Sequence, residues 1–464
     1  MDKAAPTAQI KPMSDPAETL NDRSKLGDRM ARYTGVGGTM AGLAAKLAGQ
    51  KFLGLNIDKD VHAADLTAAL GNLKGPLMKI GQILSTIPEA LPKEYADALQ
   101  QLQSNAPPMG WSFVRRRMNT ELGMGWESRF ADFPHEATNA ASLGQVHKAK
   151  LPDGRTVACK LQYPDMSSAI EADLRQLKIV FSIYEMYDKA IKTGLVLEEI
   201  GDRLREELDY KREADNIRLY QTMLDGVDGV HVPRVVDELS TNRLLTMEWL
   251  DGEKILSFKD APIETRNRIA MNLFQAWYVP LYHYGFIHGD PHLGNYTVRS
   301  DDLSLNLLDF GCVRVFPPQF IGAVIELYRA LQANDEARLV AAFETWGFKD
   351  LSREMIDILS TWARFLYGPL LDDKARIIGE AKGGMYGKET AAEVHARLKE
   401  TGGVTVPREF VFMDRAALGL GSVFIHLKAE VNWHRIFEEM IDGFDEATLA
   451  ANQRKLLDGN PTAY

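Results

Sequence analysis

Residues 288–295 are HGDPHLGN, and residues 307–311 are LLDFG. In these segments Asn295 follows Asp290 after four intervening residues, and Asp309 comes next on a predicted strand–loop–strand unit. One aspartate that orients a hydroxyl or water, with an asparagine and a second aspartate that hold Mg²⁺, is the recurring set for phosphoryl transfer. Mg²⁺ is a hard cation that bridges phosphate oxygens and prefers oxygen ligands. Each residue alone would be an ordinary turn or cap residue, but the joint pattern predicts a phosphoryl-transfer site.

A hairpin is predicted upstream of this segment. VHKAKL (146–151) and RTVACKLQ (155–162) alternate around a Pro-Asp-Gly turn signal at 152–154. Lys160 lies at the end of the second strand, where it fits the lysine that pairs with the α- and β-phosphates of a nucleotide. On its own it would be an exposed strand lysine, and its place upstream of the aspartate pair favours the functional interpretation.

Two further regions complete the predicted nucleotide site. The loop NAASLGQ (139–145) precedes the first strand, and its small residues allow close backbone approach to phosphate. The strand candidate NRLLTMEWL (242–250) supplies the remaining contacts. These further contacts are Glu248 and Leu250.

A charged helical pattern runs from about 167 to 224, between the hairpin and the strand candidates 230–236 and 242–250. A lysine in this role needs a carboxylate from the following helix to keep it oriented, and the part of the helix at about 197 to 222 offers several. Spacing alone does not choose among the candidates, most of which fit a solvated face. They are Glu198, Glu199, Glu206, Glu207, Asp209 and Glu213.

Composition narrows the function classes. The 464 residues carry a net charge of −10, so bulk attraction to nucleic acid is not expected. Two cysteines, Cys159 and Cys312, exclude a disulfide framework and a cysteine-based metal site, and they fit a reducing compartment. No stretch of about 18 apolar residues predicts a membrane-spanning helix. We therefore expect a cytoplasmic protein, with peripheral membrane contact as an extension of that expectation.

Glycines interrupt the helical pattern in the segment TGVGGTMAGLAAKLAG (34–49). We expect these glycines to allow tight packing against a neighbouring helix or a second copy of the chain. The alternative is a peripheral membrane contact, because the segment is apolar, flanked by Arg29, Arg32 and Lys51, and too short to cross a bilayer.

Six motifs in one order resemble the UbiB-type atypical kinases, also called aarF-domain kinases, which are linked to ubiquinone biosynthesis. The resemblance covers about residues 25–440. The motifs are KIGQ (79–82), NAASLGQVHKA (139–149), VACKLQYPD (157–165), EELDYKREADN (206–216), HGDPHLGN (288–295) and LLDFG (307–311).

The resemblance implies an α+β, protein-kinase-like two-lobed fold with an N-terminal helical extension. We expect a disordered tail at 1–23, the extension with its KxGQ element at 24–128, an N-lobe at 129–250 and a C-lobe at 251–464. The N-lobe would be a small antiparallel sheet with a helix, and the C-lobe would be mainly helical.

The resemblance also implies residue roles. Lys79 and Gln82 match the KxGQ element, which lies over the active site and excludes large substrates. Glu207 and Asp209 match an ExD element, which interacts with that lysine and with metal. The implied catalytic residues are Asp290, Lys160, Glu213, Lys79 and Gln82, with Glu213 paired to Lys160. The implied metal ligands are Asn295, Asp309, Glu207 and Asp209. Ala140, Ala141 and Ser142 match the family's alanine-rich nucleotide loop, so the resemblance implies that they contact the nucleotide.

Three departures from related patterns bear on the substrate. Asn139 replaces the first alanine of the family loop, which concerns nucleotide preference. Gly289 stands where a protein kinase has the arginine of its catalytic loop, and no APE-like segment follows Asp309. The last two features argue against an activation loop that docks peptide substrates.

The implied function is Mg²⁺-dependent ATP binding with phosphoryl transfer or ATP hydrolysis, in support of ubiquinone or related isoprenoid-lipid metabolism. The substrate would be a lipid or isoprenoid small molecule. One alternative is a phosphotransferase of the choline or aminoglycoside type, against which KIGQ and DFG count. The other is a nucleotide-gated lipid-binding or scaffold protein with little turnover, against which the intact Lys160, Asp290, Asn295 and Asp309 set counts.

Overall fold

A computed structural model of the chain describes residues 108–140, 143–185, 193–290, 292–378 and 408–458, together with Val394 and Arg397. The chain divides into two compact units, Met1–Ala106 with Ile170–Ile200, and Pro107–Ala169 with Gly201–Tyr464. Several predictions lie outside the described residues, namely those for the tail 1–23, the segment 34–49, Lys79, Gln82, Ala141 and Ser142. The other predicted catalytic, nucleotide-binding and metal-binding residues belong to the second unit, and the carboxylate candidates Glu198 and Glu199 belong to the first.

The described helices and strands alternate in an α+β pattern. The helices are α1 (Trp111–Leu122), α2 (Met166–Glu185), α3 (Thr193–Glu206), α4 (Tyr210–Met223), α5 (Ile263–Tyr284), α6 (Pro318–Ala333), α7 (Glu336–Thr345), α8 (Arg353–Tyr367), α9 (Arg408–Leu427), α10 (Trp433–Ile441) and α11 (Glu446–Asp458). The strands are β1 (Asn139–Ala140), β2 (Gly144–Lys150), β3 (Thr156–Gln162), β4 (Val230–His231), β5 (Leu244–Glu248), β6 (Glu253–Lys254), β7 (Phe286–His288), β8 (Tyr296–Val298), β9 (Leu305–Leu307), β10 (Val313–Val315), β11 (Arg376–Ile377) and β12 (Glu430–Val431).

An antiparallel sheet of order β1-β2-β3-β5 forms the N-lobe. The predicted hairpin is its centre, and Gly154 closes the β2–β3 turn with a φ of 91°, which favours glycine. Side chains alternate between the two faces of a strand. Cys159 and Leu161 of β3 therefore pack in one core with Val114 of α1, whereas Ala158 joins a core on the other side with α4.

His147 is fully buried on the α1 side of β2. Its Nδ1 lies 2.9 Å from the Pro134 carbonyl oxygen, and its Nε2 lies 2.9 Å from Gln145 Nε2. Gln145 Oε1 accepts the Met109 N–H at 2.8 Å. These bonds tie the segment before α1 to the sheet.

The C-lobe is built around α5, whose Leu273, Phe274 and Trp277 lie in a large apolar core. Gly285 ends α5 with a φ of 76°, and a Cβ there would lie 2.9 Å from the Phe316 carbonyl oxygen. Strand β7 starts at the next residue and pairs with β10. A second small sheet has the order β4-β9-β8-β6. These turns and short pairings bring HGDPHLGN and LLDFG to one place.

Two local predictions differ from the structure. The helical pattern at about 197–222 is broken at residues 207–209, because the Asp209 side chain accepts the Arg212 N–H and caps a new helix, α4. The strand candidate 230–236 is a strand only at Val230–His231, which pairs in parallel with β9 rather than joining the N-lobe sheet. Its Val235 forms an isolated bridge with Met247.

Helix α1 lies N-terminal to residue 129, where the N-lobe was predicted to begin, yet it packs in the same core as β3. The compact unit that contains the sheet starts at Pro107. Among the helices in the described ranges, none has the length and apolarity that crossing a bilayer requires.

Candidate active site

Lys160 on β3 and Glu213 on α4 form the ion pair at the centre of the site. Lys160 Nζ lies 2.7 Å and 2.8 Å from the two carboxylate oxygens of Glu213, and 3.4 Å from Asp309 Oδ2. The Glu213 side chain is only 2% exposed and that of Lys160 is 17% exposed. The Lys160 ammonium also lies 5.2 Å from the centre of the Tyr210 ring. The pair thus joins the sheet, α4 and the LLDFG loop.

The charge on this lysine is held by its neighbours. Burial alone would lower the pKa of Lys160, but the negative charges of Asp309 and Glu213 outweigh it and hold the pKa well above its ordinary value. The site therefore presents a permanent cation beside the Asp309 carboxylate, which is 38% exposed. A cation so placed suits an anionic ligand such as a phosphate.

The LLDFG loop is fixed by its backbone. Asn216 of α4 is fully buried and donates from Nδ2 to the Phe310 carbonyl oxygen at 2.8 Å. The Phe310 ring is buried against Tyr220, with 5.2 Å between ring centres. Asp309 Oδ1 accepts the Gly311 N–H at 3.0 Å. The Phe310 side chain is therefore buried, whereas the Asp309 carboxylate is left partly exposed in the cleft.

The HGDPHLGN loop is held to LLDFG by His288. Its Nε2 lies 2.5 Å from the Asp309 carbonyl oxygen, and its Nδ1 lies 3.3 Å from the Asp290 N–H. One imidazole can serve both bonds if Nε2 donates and Nδ1 accepts. Asn295 donates from Nδ2 to the Asp290 carbonyl oxygen at 3.1 Å and to Asp290 Oδ2 at 3.2 Å. Leu308 N–H completes the link by donating to the Asn295 carbonyl oxygen at 3.0 Å.

Glu207 and Asp209 occupy different positions around this centre. A Cβ on Gly311 would lie 3.8 Å from Glu207 Cγ, so Glu207 is adjacent to the LLDFG loop. Asp209 is exposed and its Oδ1 accepts the Arg212 N–H at 3.1 Å, as the cap of α4. Glu207 therefore lies beside the LLDFG loop, and Asp209 caps the helix that carries Glu213.

The remaining predicted nucleotide contacts border the sheet. Ala140 lies on β1, opposite Gln145 of β2. Glu248 is the exposed last residue of β5, opposite Val157. Leu250 follows two residues later with a side chain that is 8% exposed.

The donor set fits a hard divalent cation. Asn295 uses its amide nitrogen for both bonds to Asp290, which leaves its amide oxygen for a cation. Asp309 adds a partly exposed carboxylate on the adjoining loop. Among the described residues no group of three His, Cys, Asp or Glu side chains is arranged as a metal site. Mg²⁺ in proteins is usually bound by one or two carboxylates together with waters and phosphate oxygens.

Sequence reasoning missed three residues that support the site. His288 and Asn216 fix the two loops as described above. Arg314 of β10 forms a 2.7 Å ion pair with Glu206, the last residue of α3, which also lies 3.1 Å from Arg212. The motif HGDPHLGN contains His288, so this residue could have been found from the sequence. The pairing of Arg314 with Glu206 depends on the fold and could not.

Known proteins share sequence similarity with this chain. The family model for the ABC1 atypical kinase-like domain matches residues 101–343. The chain is 29% identical over 370 residues to the mitochondrial atypical kinase COQ8B of Danio rerio, and 30% identical over 315 residues to the mitochondrial atypical kinase COQ8 of Saccharomyces cerevisiae. These alignments cover 74% and 66% of this chain but only 59% and 63% of the two relatives.

A solved structure is similar over most of its length. The complex of Rv3197 with erythromycin from Mycobacterium tuberculosis has a TM-score of 0.58 and 28% identity, and the match covers 87% of this chain and 98% of that chain. With the family match, this similarity confirms the predicted kinase-like α+β fold and the predicted family resemblance.

Proposed function

The chain belongs to the ABC1 atypical kinase-like family, and from that premise we propose that it binds Mg²⁺·ATP beside Lys160 for phosphoryl transfer or ATP hydrolysis. The observation that carries this proposal is the joining of Lys160, Glu213 and Asp309 in one charged cluster. The loop that carries Asp290 and Asn295 lies beside this cluster, because His288 of the same loop contacts the Asp309 carbonyl oxygen. This assembled set favours catalysis over a nucleotide-gated lipid-binding or scaffold protein with little turnover, whereas KIGQ and DFG count against a phosphotransferase of the choline or aminoglycoside type.

In this proposal Lys160 binds the phosphates of ATP, and Glu213 keeps the ammonium in place. A rigid cation in a partly dry cleft stabilises negative charge more strongly than one in water, since no dipoles must reorganise. Asn295 and Asp309 would hold Mg²⁺, with Glu207 and Asp209 as the further ligands that the family resemblance implies. Mg²⁺ held there would neutralise phosphate charge.

Asp290 orients the attacking hydroxyl or water. Its Oδ2 accepts a hydrogen bond from Asn295, which helps to position the carboxylate that would take the proton of the attacking group. One bond from Asn295 holds the backbone carbonyl of Asp290 and the other holds its carboxylate. Positioning of this kind supplies much of the rate in phosphoryl transfer, where little covalent chemistry falls to the protein.

The resemblance to UbiB-type atypical kinases is the basis for proposing a lipid or isoprenoid acceptor and a link to ubiquinone or related metabolism, and two relatives are named atypical kinase COQ8B and COQ8. The same names include the word mitochondrial, which describes those proteins. For this chain we propose a cytoplasmic location with peripheral membrane contact, and an ATPase or small-molecule kinase rather than a protein kinase. The missing APE-like segment supports the exclusion of peptide substrates.

The test is Mg²⁺-dependent thermal stabilisation of the full chain by ATP. Asp309→Asn should abolish the Mg²⁺-dependent part of the shift, because it removes a carboxylate ligand. Asp225→Asn, at an exposed turn after α4, is the matched control and should keep the full shift. An undiminished Mg²⁺-dependent shift in Asp309→Asn would reject the site.

Turnover is tested separately by ATP hydrolysis with and without isoprenoid phenols and anionic liposomes. Wild-type hydrolysis that Asp290→Asn reduces by about a hundredfold or more would support catalysis. Normal Mg²⁺·ATP binding with no hydrolysis under any of these conditions would instead favour a nucleotide-gated lipid-binding or scaffold protein.

A further inference from the structure

A second lysine–carboxylate pair lies on the cleft face of the N-lobe sheet. Lys148 of β2 is directly opposite Ala158 of β3, which in turn is opposite Met247 of β5. Opposed residues of antiparallel strands share a face, and residues two apart on one strand share it too. Lys148 therefore shares the face of Lys160, displaced along the sheet by two residues, or about 7 Å.

The partner of Lys148 is Asp251, just beyond β5. Lys148 Nζ lies 2.8 Å from Asp251 Oδ1 and 4.6 Å from the centre of the Trp249 ring. Trp249 Nε1 donates to the same Oδ1 at 2.7 Å. Two donors thus converge on one oxygen of a carboxylate whose side chain is 81% exposed. The second oxygen, Oδ2, is directed by these bonds and is accessible to a ligand.

The backbone beneath this carboxylate is fixed from the C-lobe. Asn306 of β9 is fully buried and donates from Nδ2 to the Asp251 carbonyl oxygen at 3.0 Å. The next residue is Gly252, where a Cβ would lie 2.7 Å from Thr297 Oγ1. The turn is therefore packed too closely for a side chain, and Asp251 is held by contacts to both lobes.

The chemistry of this position suits a neutral hydrogen-bond donor. The side-chain hydrogen bonds from Lys148 and Trp249 lower the pKa of Asp251, so the carboxylate stays ionised at neutral pH. Because an ionised carboxylate repels phosphates, we expect the phosphates of a ligand at Lys160 rather than at Asp251. It accepts well from hydroxyls, and a carboxylate that binds a ribose hydroxyl is the usual way in which dinucleotide sites recognise the sugar.

We propose that Asp251 accepts a hydrogen bond from a ribose hydroxyl of the bound nucleotide, and that Lys148 and Trp249 are positioning residues for it. This inference rests on the proposed ATP binding, with the phosphates at Lys160. The ribose then lies between Lys160 and the end of β5, on the face that the two lysines share. Asp251 becomes a determinant of specificity for ribonucleotides.

The test compares the dissociation constants of Mg²⁺·ATP, 2′-deoxy-ATP and 3′-deoxy-ATP for the full chain by calorimetry. Wild type should prefer ATP over at least one deoxy analogue by about tenfold, as a hydrogen bond to a charged group provides. Asp251→Ala should weaken ATP binding by about tenfold and leave that analogue within about twofold, so the preference disappears. Lys148→Met should reduce the preference in part. Glu253→Gln, at an exposed carboxylate on β6, is the control and should keep it.

Specificity ratios separate recognition from a purely structural role, because a distorted cleft would weaken all three nucleotides alike. An equal loss for all three in Asp251→Ala would overturn the inference, as would a wild type without any preference. Both results would leave the proposed function intact if ATP still binds in an Asp309-dependent manner. A wild type that binds no ATP would overturn the proposed function and this inference together.

Discussion

Lys160 and Lys148 point from the same face of one sheet, and each is paired with a carboxylate at 2.7 to 2.8 Å. Their surroundings differ. The Lys160–Glu213 pair is 17% and 2% exposed, whereas the Lys148–Asp251 pair is 39% and 81% exposed. The two pairs therefore have different roles. The inner pair, Lys160–Glu213, keeps a charged lysine in a nearly buried position, and the outer pair, Lys148–Asp251, orients an accessible carboxylate. Burial, rather than the bond itself, separates the two roles.

The largest effect is expected from breaking the inner pair. Lys160→Met leaves Glu213 buried beside Asp309 without its cation, which should lower the free energy of unfolding by about 3 kcal/mol. Urea denaturation of the nucleotide-free chain measures this change.

A double variant sharpens that result. Lys160→Met with Glu213→Leu removes both charges, so it should recover a large part of the lost stability. If the double variant is no more stable than Lys160→Met alone, an unpaired buried charge is not the cause. If Lys160→Met unfolds as wild type does, the contrast between inner and outer pairs is wrong.

The next largest effect compares a buried asparagine that contacts the LLDFG loop with one that contacts another loop. Asn216 and Asn272 are both buried and both donate from Nδ2 to a loop carbonyl oxygen, that of Phe310 and that of Leu303. Each change to Ala leaves a carbonyl without its donor and should cost about 2 kcal/mol in urea denaturation. Only Asn216→Ala should also weaken Mg²⁺·ATP binding, since only Phe310 belongs to LLDFG. Equal nucleotide affinities in the two variants would show that the loop is not held through Asn216.

Local patterns predicted the parts of the site that are close in sequence. The β2–β3 hairpin follows from alternation around one turn, and HGDPHLGN and LLDFG carry their chemistry within a few residues. The break at residues 207–209 was missed because Asp209 caps a helix where the surrounding propensity continues one. The parallel pairing of β4 was missed because its partner is β9, far along the chain. Lys148 and Asp251, 103 residues apart, meet only through the sheet.

A smaller effect on stability concerns His147, which lies on the face of β2 opposite to that of Lys148. Burial lowers the pKa of His147, although its bond to the Pro134 carbonyl oxygen partly offsets this. The unfolded chain therefore takes up a proton first as pH falls, and stability should decline below about pH 6.5 by at most about 1.4 kcal/mol per pH unit. His147→Gln should flatten this decline in urea denaturation between pH 7 and pH 5.5. The exposed His426→Gln is the control and should keep the wild-type profile. An unchanged profile in His147→Gln would assign the decline to other groups.

The smallest effect is expected for the stability contribution of the outer pair. Both side chains of Lys148 and Asp251 are exposed to solvent, so the attraction is weak, and ordering them costs side-chain entropy. Lys148→Met should therefore change the free energy of unfolding by less than about 1 kcal/mol, and the difference from wild type should vanish in about 0.5 M salt. The loss in Lys160→Met should persist in the same salt, because mobile ions do not reach a carboxylate that is 2% exposed. Urea denaturation at low and high salt measures both variants side by side. A salt-insensitive loss in Lys148→Met, or a salt-sensitive loss in Lys160→Met, would show that exposure does not separate these two pairs.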